Sequence, residues 1–344
     1  CMFKRGITVL LCVALIGLLT ISAAAETVKG ATYKKDGPYV VGFANVWVGN
    51  TWGVQCVYEF EAAARRHQKD IKAYYITDAQ NNAAKQIADV EDLLAKGIDL
   101  LIIQAVSPQA IASTIDKVSA KGIPVIACVS PVGTENYAAS VRALDEEFGR
   151  LGAEWLVEEL GGKGNIIILD GMAGITVAEN RLKGAKEVFD KYPGIKIVGH
   201  EYADWDYAKG KMAAENLLAA NQVIDGVWSS GGEMTMGAIE AFVAARRKLV
   251  PMTGEDNNGF LKIWKEYQPQ GFKAIGASMP TYLFAEGLEI GLKLLKGQDV
   301  PRDTIVPVPT ITEENIDKYV RPDLPNTFWA NTRMSEEDIT KFFK

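Results

Sequence analysis

From Tyr39 onward the chain alternates short β-rich runs with helical patterns, and it does so in two successive sets. That rhythm is the signature of parallel sheets covered by helices, because parallel neighbours need a crossover long enough to hold a helix. The first set reads as strands at 39–45, 71–77, 100–104, 124–129 and 138–143. A helix at about 52–68 follows the Gly49-Asn50-Thr51 turn. The next carries Ile87, Val90, Leu93 and Leu94 on one face, and a third is opened by Pro108 with Ile111, Ile115 and Val118 inward. The second set places strands at 165–170, 196–202, 226–229, 250–254 and 274–277. Helices between them begin near Glu146, Thr176, Asp206, Gly232 and Phe260. A last long helix, 280–296, is expected to return to the first set. A polar, Pro-punctuated tail, 300–344, holds one more expected helix at 312–319.

A chain of 344 residues with 48% hydrophobic content fills two cores, since single cores stop growing near about 250 residues. The fold class expected is therefore α/β, with two Rossmann-like lobes built on parallel sheets. The first lobe is placed at 36–143 plus about 279–300. The second is placed at 144–278, with about 301–344 as its tail.

Lys4 and Arg5 precede an apolar run, 7–21, that is too short for a membrane span and ends in Ser22-Ala23-Ala24-Ala25. Residues 1–25 read as a signal peptide cleaved after Ala25, which implies the periplasm. Cys12 does not suit lipid attachment, because the large Leu11 precedes it. Losing Lys4 and Arg5 takes the formal charge from −6 to −8, so no basic surface is expected and nucleic acid is an unsuitable partner. Only Cys56 and Cys128 remain after processing; they are read as two thiols, and the cores must carry stability.

Catalytic equipment is sparse. Neither of the two histidines, His67 and His200, has a cysteine, histidine or acid at ligand spacing, so no metal or histidine-based triad is expected. The chain lacks Gly-x-x-x-x-Gly-Lys-Ser/Thr. The turn after the first strand, Val46-Trp47-Val48-Gly49-Asn50, lacks the glycines of a dinucleotide site, so no cofactor is expected. Gly161-Gly162-Lys163-Gly164 precedes a strand and reads as a helix stop and turn.

Open α/β sheets bind ligands just past the carboxyl ends of their strands. Those positions are Trp47, Asn50 and Trp52, then Asp78, Gln104, and Val129 with Ser130. The second set supplies Met172, Trp205, Ser230 with Gly231, Asp256 and Ser278. Trp47, Trp52, Trp205 and Trp228 all fall at or near strand ends. Indole is flat and stiff, and can lie against the C–H face of a sugar while polar neighbours take the hydroxyls. Trp228 sits inside a strand and reads as core, Trp47 is open between the two roles, and Trp52 and Trp205 are assigned to the ligand. Asp256 reads as a ligand carboxylate ahead of a helix N-cap. Asp78 reads as a candidate ligand or as the organiser of its turn.

Several stretches resemble one family, the bacterial periplasmic sugar-binding proteins of the ribose and galactose type, which feed membrane ABC importers. They are Asp78-Ala79-Gln80-Asn81-Asn82-Ala83-Ala84-Lys85-Gln86 running into 96–103, Gly171-Met172-Ala173-Gly174 leading to 179–184, Ala203-Asp204-Trp205-Asp206, and 232–238. The resemblance implies a type I periplasmic binding fold, with three crossing segments near Leu144, Ser278 and Val300 that act as a hinge. It implies Trp52 and Trp205 as ring-stacking aromatics of opposite lobes, Arg181 as a ligand-binding arginine, Met172 as an apolar wall and Asp256 as a sugar-binding aspartate. It also implies a permease as partner, with a chemoreceptor as a possible further one, and a monomer. Ribose binders carry an Asp-Arg pair where this chain has Val129-Ser130, and an Asn-Asp pair where it has Gly231-Gly232. They carry an aromatic at Glu255 and a glutamine at Ser278. Lost donors and added space at Gly231 make a poor ribose receptor the expectation. The longer tail and the Ala105-Val106-Ser107-Pro108 loop also resemble autoinducer-2-binding relatives, which keeps a furanose ligand open.

The leading expectation is a non-enzymatic receptor for a monosaccharide, sugar alcohol or similar small polyol. A transcription regulator core shares the fold but would need a DNA-binding segment where this chain has its signal. A secreted hydrolase would need a carboxylate pair such as Asp78 and Asp256.

Overall fold

The computed structural model describes residues 26–344; the signal segment and its cleavage point lie outside the described residues. After a short strand β1 (Thr27–Val28), the first set runs β2 (Tyr39–Asn45), α1 (Thr51–Arg66), β3 (Ile71–Asp78), α2 (Ala83–Ala95), β4 (Leu100–Ile103), α3 (Pro108–Ala120), β5 (Val125–Cys128) and β6 (Ala139–Arg142). The second runs α4 (Asp145–Glu159), β7 (Lys163–Asp170), α5 (Thr176–Phe189), β8 (Gly194–Tyr202), α6 (Tyr207–Ala220), β9 (Gly226–Ser229), α7 (Gly232–Ala244), β10 (Met252–Gly254), α8 (Asn258–Tyr267) and β11 (Ala274–Ala277). Then come α9 (Leu283–Leu295), β12 (Val300–Pro301), which pairs antiparallel with β1, β13 (Asp303–Ile305), β14 (Thr310–Ile311) and α10 (Glu336–Phe343).

Two six-stranded sheets result, ordered β13-β6-β5-β4-β2-β3 and β14-β11-β10-β9-β7-β8. Every pairing is parallel except β14 with β11. β4 and β5 are apolar throughout and wholly buried, as strands covered on both faces must be. Strand-to-helix turns are closed by side-chain caps: Asn50, Asn82, Ser107, Asp206 and Asn257 each accept from an amide in the first turn of the following helix. These caps hold the strand-end loops where the two lobes face each other. α9 does return to the first lobe, where Phe284 packs 4.6 Å from Phe43, ring centre to ring centre, beside buried Leu283 and Leu288. The second core gathers Met234, Phe242, Phe260 and Trp264 over Ile167, Leu169 and Val227. Cys56 and Cys128 are buried free thiols, and burial pushes both well up from the ordinary thiol range.

The chain passes between sheets three times: between β6 and α4, between β11 and α9, and between β13 and β14. The first two fall at Leu144 and Ser278, where they were expected. The third does not fall near Val300, because β13 adds to the first sheet beside β6 and the chain crosses only after Ile305. The expected helix at 312–319 is reduced to a 3₁₀ turn, Ile316–Lys318. Asn315 folds back instead, its Oδ1 accepting from the Thr312 amide and its Nδ2 donating to the Thr310 carbonyl, which competes with helical pairing. Nor does the tail belong to the second lobe alone. Asn258 of α8 holds residues 321–325 through its amide, while α10 lies on α1, Phe342 stacking 4.4 Å from Tyr58 and Asp338 pairing with Arg65 at 2.6 Å.

Candidate functional site

A cavity of about 110 Å³ lies between the carboxyl ends of the two sheets. It is of the same order as the cavity of about 150 Å³ that takes a single benzene ring in another protein. Trp47, Asn50, Trp52, Gln104, Val129, Ser130, Met172, Arg181, Trp205 and Gly231 line it, so most of the expected site converges. The cleft widens past Val129, Ser130, Thr176 and Val177 into a chamber of about 960 Å³ beside the first crossing.

Trp205 is set by backbone as much as by packing. Its φ of 53° is left-handed, and its Nε1–H donates to the Ser230 carbonyl at 3.1 Å. A Cβ at Gly171 would sit 2.1 Å from the indole and one at Gly231 2.7 Å from it, so both positions must be glycine for the ring to lie there. The added space expected at Gly231 is therefore already taken by Trp205. Trp52 donates to the Met279 carbonyl at 3.0 Å and turns its ring edgewise to Phe284. Trp47 is on the cavity wall, and Trp228 is core, donating to the Gly149 carbonyl.

Arg181 is not a surface residue of α5; it is 4% exposed and lies 3.8 Å over the Phe148 ring. Its Nη1 donates to the Ser230 carbonyl at 2.6 Å and to Glu255 Oε1 at 2.8 Å, and its Nε to Asp145 Oδ1 at 3.4 Å. With its Nε and Nη1 both engaged by protein acceptors, the arginine is foremost the counter-charge of a buried network. Burial pushes Asp145 up to about 6 and raises Glu255, with Arg181 opposing both shifts. Glu233, on the first turn of α7, also lines the cavity and is pushed up to about 7 by burial. Gln104 is a lining residue, and its Oε1 is buried with no hydrogen-bond partner among the described residues, an unsatisfied acceptor next to the site. Val129 holds φ at 65°, a conformation a β-branched residue adopts only under strain, and such strain gathers at binding sites.

Of the expected positions, Asp78, Ser230, Asp256 and Ser278 stay outside the cavity. Asp78 organises its turn, accepting from the Gln80 amide at 2.9 Å; the residue of that turn that reaches the cleft is Asn81, its Nδ2 3.6 Å from Met172 Sδ of the opposite lobe. Asp256 is sealed: its Oδ2 accepts from the Asn331 amide of the tail at 2.7 Å, and burial pushes its carboxyl up to about 7. Ser278 is fully buried, with its backbone amide on the Pro309 carbonyl. Asp78 and Asp256 therefore share no site. Among the described residues no group of three His, Cys, Asp or Glu is placed to hold a metal, and no helix is long and apolar enough to cross a membrane.

Sequence reasoning missed Glu233, Glu255 and Trp329 as wall residues. Glu233 follows a Gly-Gly pair at a helix start, a signal that could have found it. Trp329 had none, because nothing local says that a tail will reach the cleft.

A model of the periplasmic binding protein domain family matches residues 41–299. The chain is 32% identical over 242 residues to a xylitol-binding protein of Mycolicibacterium smegmatis, an alignment covering 70% of this chain and 68% of that one. It is 25% identical over 311 residues to a ribose import binding protein of Haemophilus influenzae, covering 90% of this chain and 100% of that protein. Among solved structures, an ABC transporter solute binding protein from Bacillus halodurans with bound myo-inositol superposes with a TM-score of 0.73 at 25% identity, covering 82% of this chain and 97% of that one.

Proposed function

The chain belongs to the periplasmic binding protein domain family, and on that premise we propose that it is the solute-binding component of an ABC importer, taking a monosaccharide or small polyol into its interlobe cavity. The observation that carries the reading is the wall itself: Trp47, Trp52, Trp205 and Trp329 enclose a space that the polar residues Asn50, Gln104, Arg181 and Glu233 also line. Flat aromatic faces with a few fixed polar groups suit a ligand that has both C–H faces and hydroxyls. On this reading the protein binds and releases its ligand without turnover, in keeping with the binding-protein family model that matches residues 41–299. It works in the periplasm after losing residues 1–25, as a monomer, and hands its ligand to a membrane permease; N-terminal sequencing of secreted protein should start at Glu26.

Titration with xylitol, D-ribose and myo-inositol by calorimetry, with chromatography of the recovered ligand, tests the reading. At least one should bind and return unchanged. Ligand at a hundred times its Kd should add about 2.7 kcal/mol of stability, visible as a raised melting temperature. D-ribose is expected to be weak, in the millimolar range, because Val129 offers no partner and each unmet hydroxyl costs about 1–3 kcal/mol. Sub-micromolar ribose binding would overturn that expectation. Conversion of any of the three to product would overturn the reading itself.

A further inference from the structure

The tail enters the site at one residue. Trp329 is 3% exposed, yet its side chain is part of the cavity wall. Its backbone is bracketed by the amide of Gln55 on α1, which donates from Nε2 to the Trp329 carbonyl at 2.9 Å and accepts on Oε1 from the Trp329 amide at 2.8 Å. From the other side it bridges to Asn257 of the second lobe. The indole Nε1–H donates to Thr51 Oγ1 at 2.8 Å. The same hydroxyl donates across the cleft to Glu233 Oε1. One hydroxyl thus joins the tail, the first lobe and the second lobe. Two residues on, the Asn331 amide donates to Oδ2 of the fully buried Asp256, which ties the tail to the second lobe as well.

We propose that Trp329 is a ligand-contacting, selectivity-determining wall of the binding site, supplied by the C-terminal tail, and that Thr51 is the residue that positions it. Stacking is orientation-dependent, and an indole held at one nitrogen and at its backbone presents one face to the cavity at little entropic cost. The inference rests on the binding reading above.

Calorimetric titration of the full chain with xylitol, D-ribose and myo-inositol is repeated for Trp329→Ala, Trp329→Phe, Thr51→Val and Thr51→Ser, with melting temperatures confirming that each is folded. Trp329→Ala should weaken the best ligand of the parent at least tenfold and change the ranking of the three. Trp329→Phe, which keeps a ring but loses the N–H, and Thr51→Val should each weaken it several-fold, and Thr51→Ser should restore the parent value. Should Trp329→Ala not fold, the Thr51 pair and Trp329→Phe decide. Parent-like affinity and ranking in the folded Trp329 variants would overturn the wall, and a Thr51→Ser indistinguishable from Thr51→Val would overturn the positioning role. If the parent binds none of the three, the binding reading fails and takes the wall with it; if the parent binds and the variants match it, only the wall fails.

Discussion

Asp256 holds its proton up to about 7 because it is fully buried, whereas an unfolded aspartate releases its proton near about 3.9. Between those values the folded state binds more protons than the unfolded one, so this residue makes stability fall as pH rises from about 4 to 7, with no further loss above. Glu233, pushed up to about 7, and Asp145, to about 6, act in the same direction. Asp256→Asn keeps an oxygen for the Asn331 amide and removes one titration. Its melting temperature should therefore change less than the parent's between pH 4 and 7 and exceed it by a few degrees at pH 8; parallel curves would count against the assignment. Arg181 presents the opposite problem. Arg181→Lys cannot reach Ser230, Glu255 and Asp145 together from one planar fork, and leaves buried carboxyls short of a counter-charge. We expect a loss of about 3 kcal/mol or more in denaturant unfolding, with ligand affinity down at least tenfold. An unchanged unfolding midpoint would mean the network is not balanced by this residue. Composition and strand-end position found most wall residues, Trp52 and Trp205 among them. What they could not show is which way a side chain turns: Asp78 and Asn81 share one turn, and left-handed backbone at Gln80 and Asn81 sends the second, not the first, to the cleft.

At the scale of elements, the strand-helix rhythm was legible because burial on both faces makes strands such as β4 and β5 continuous apolar runs, while the helices between them keep a one-sided stripe. The tail has neither pattern. Its helix was expected around 312–319, where Asn315 bonds its own neighbours, and was overlooked at α10, where a local signal does exist. Ser335 Oγ accepts from the Asp338 amide, and Glu336, Glu337 and Asp338 place negative charge on the first turn. Ser335→Ala should cost the tail about 1 kcal/mol. Amide exchange of α10 should quicken by roughly five-fold, the equivalent of that energy, while β4 stays protected. Equal quickening in both would mean that α10 opens only with the whole fold.

At the scale of the molecule, three crossings and a tail anchored on both lobes set how the cleft can open. Two protein contacts reach across it, Thr51 to Glu233 and Asn81 to Met172, so this arrangement of the lobes has bonds of its own. A ligand shifts the open–closed balance only by what it contributes beyond these. Thr51→Val removes the first contact and leaves the crossings intact, so the unliganded variant should be more open than the parent. Small-angle scattering should then show a larger radius of gyration for unliganded Thr51→Val than for the unliganded parent. The two should converge when a ligand that binds both is saturating, and tryptophan fluorescence should change in step, since the indoles at Trp52 and Trp205 approach the ligand from opposite lobes. An identical radius with and without saturating ligand, in parent and variant alike, would mean that the lobes do not move on binding, and that affinity is set by a preformed cavity rather than by closure.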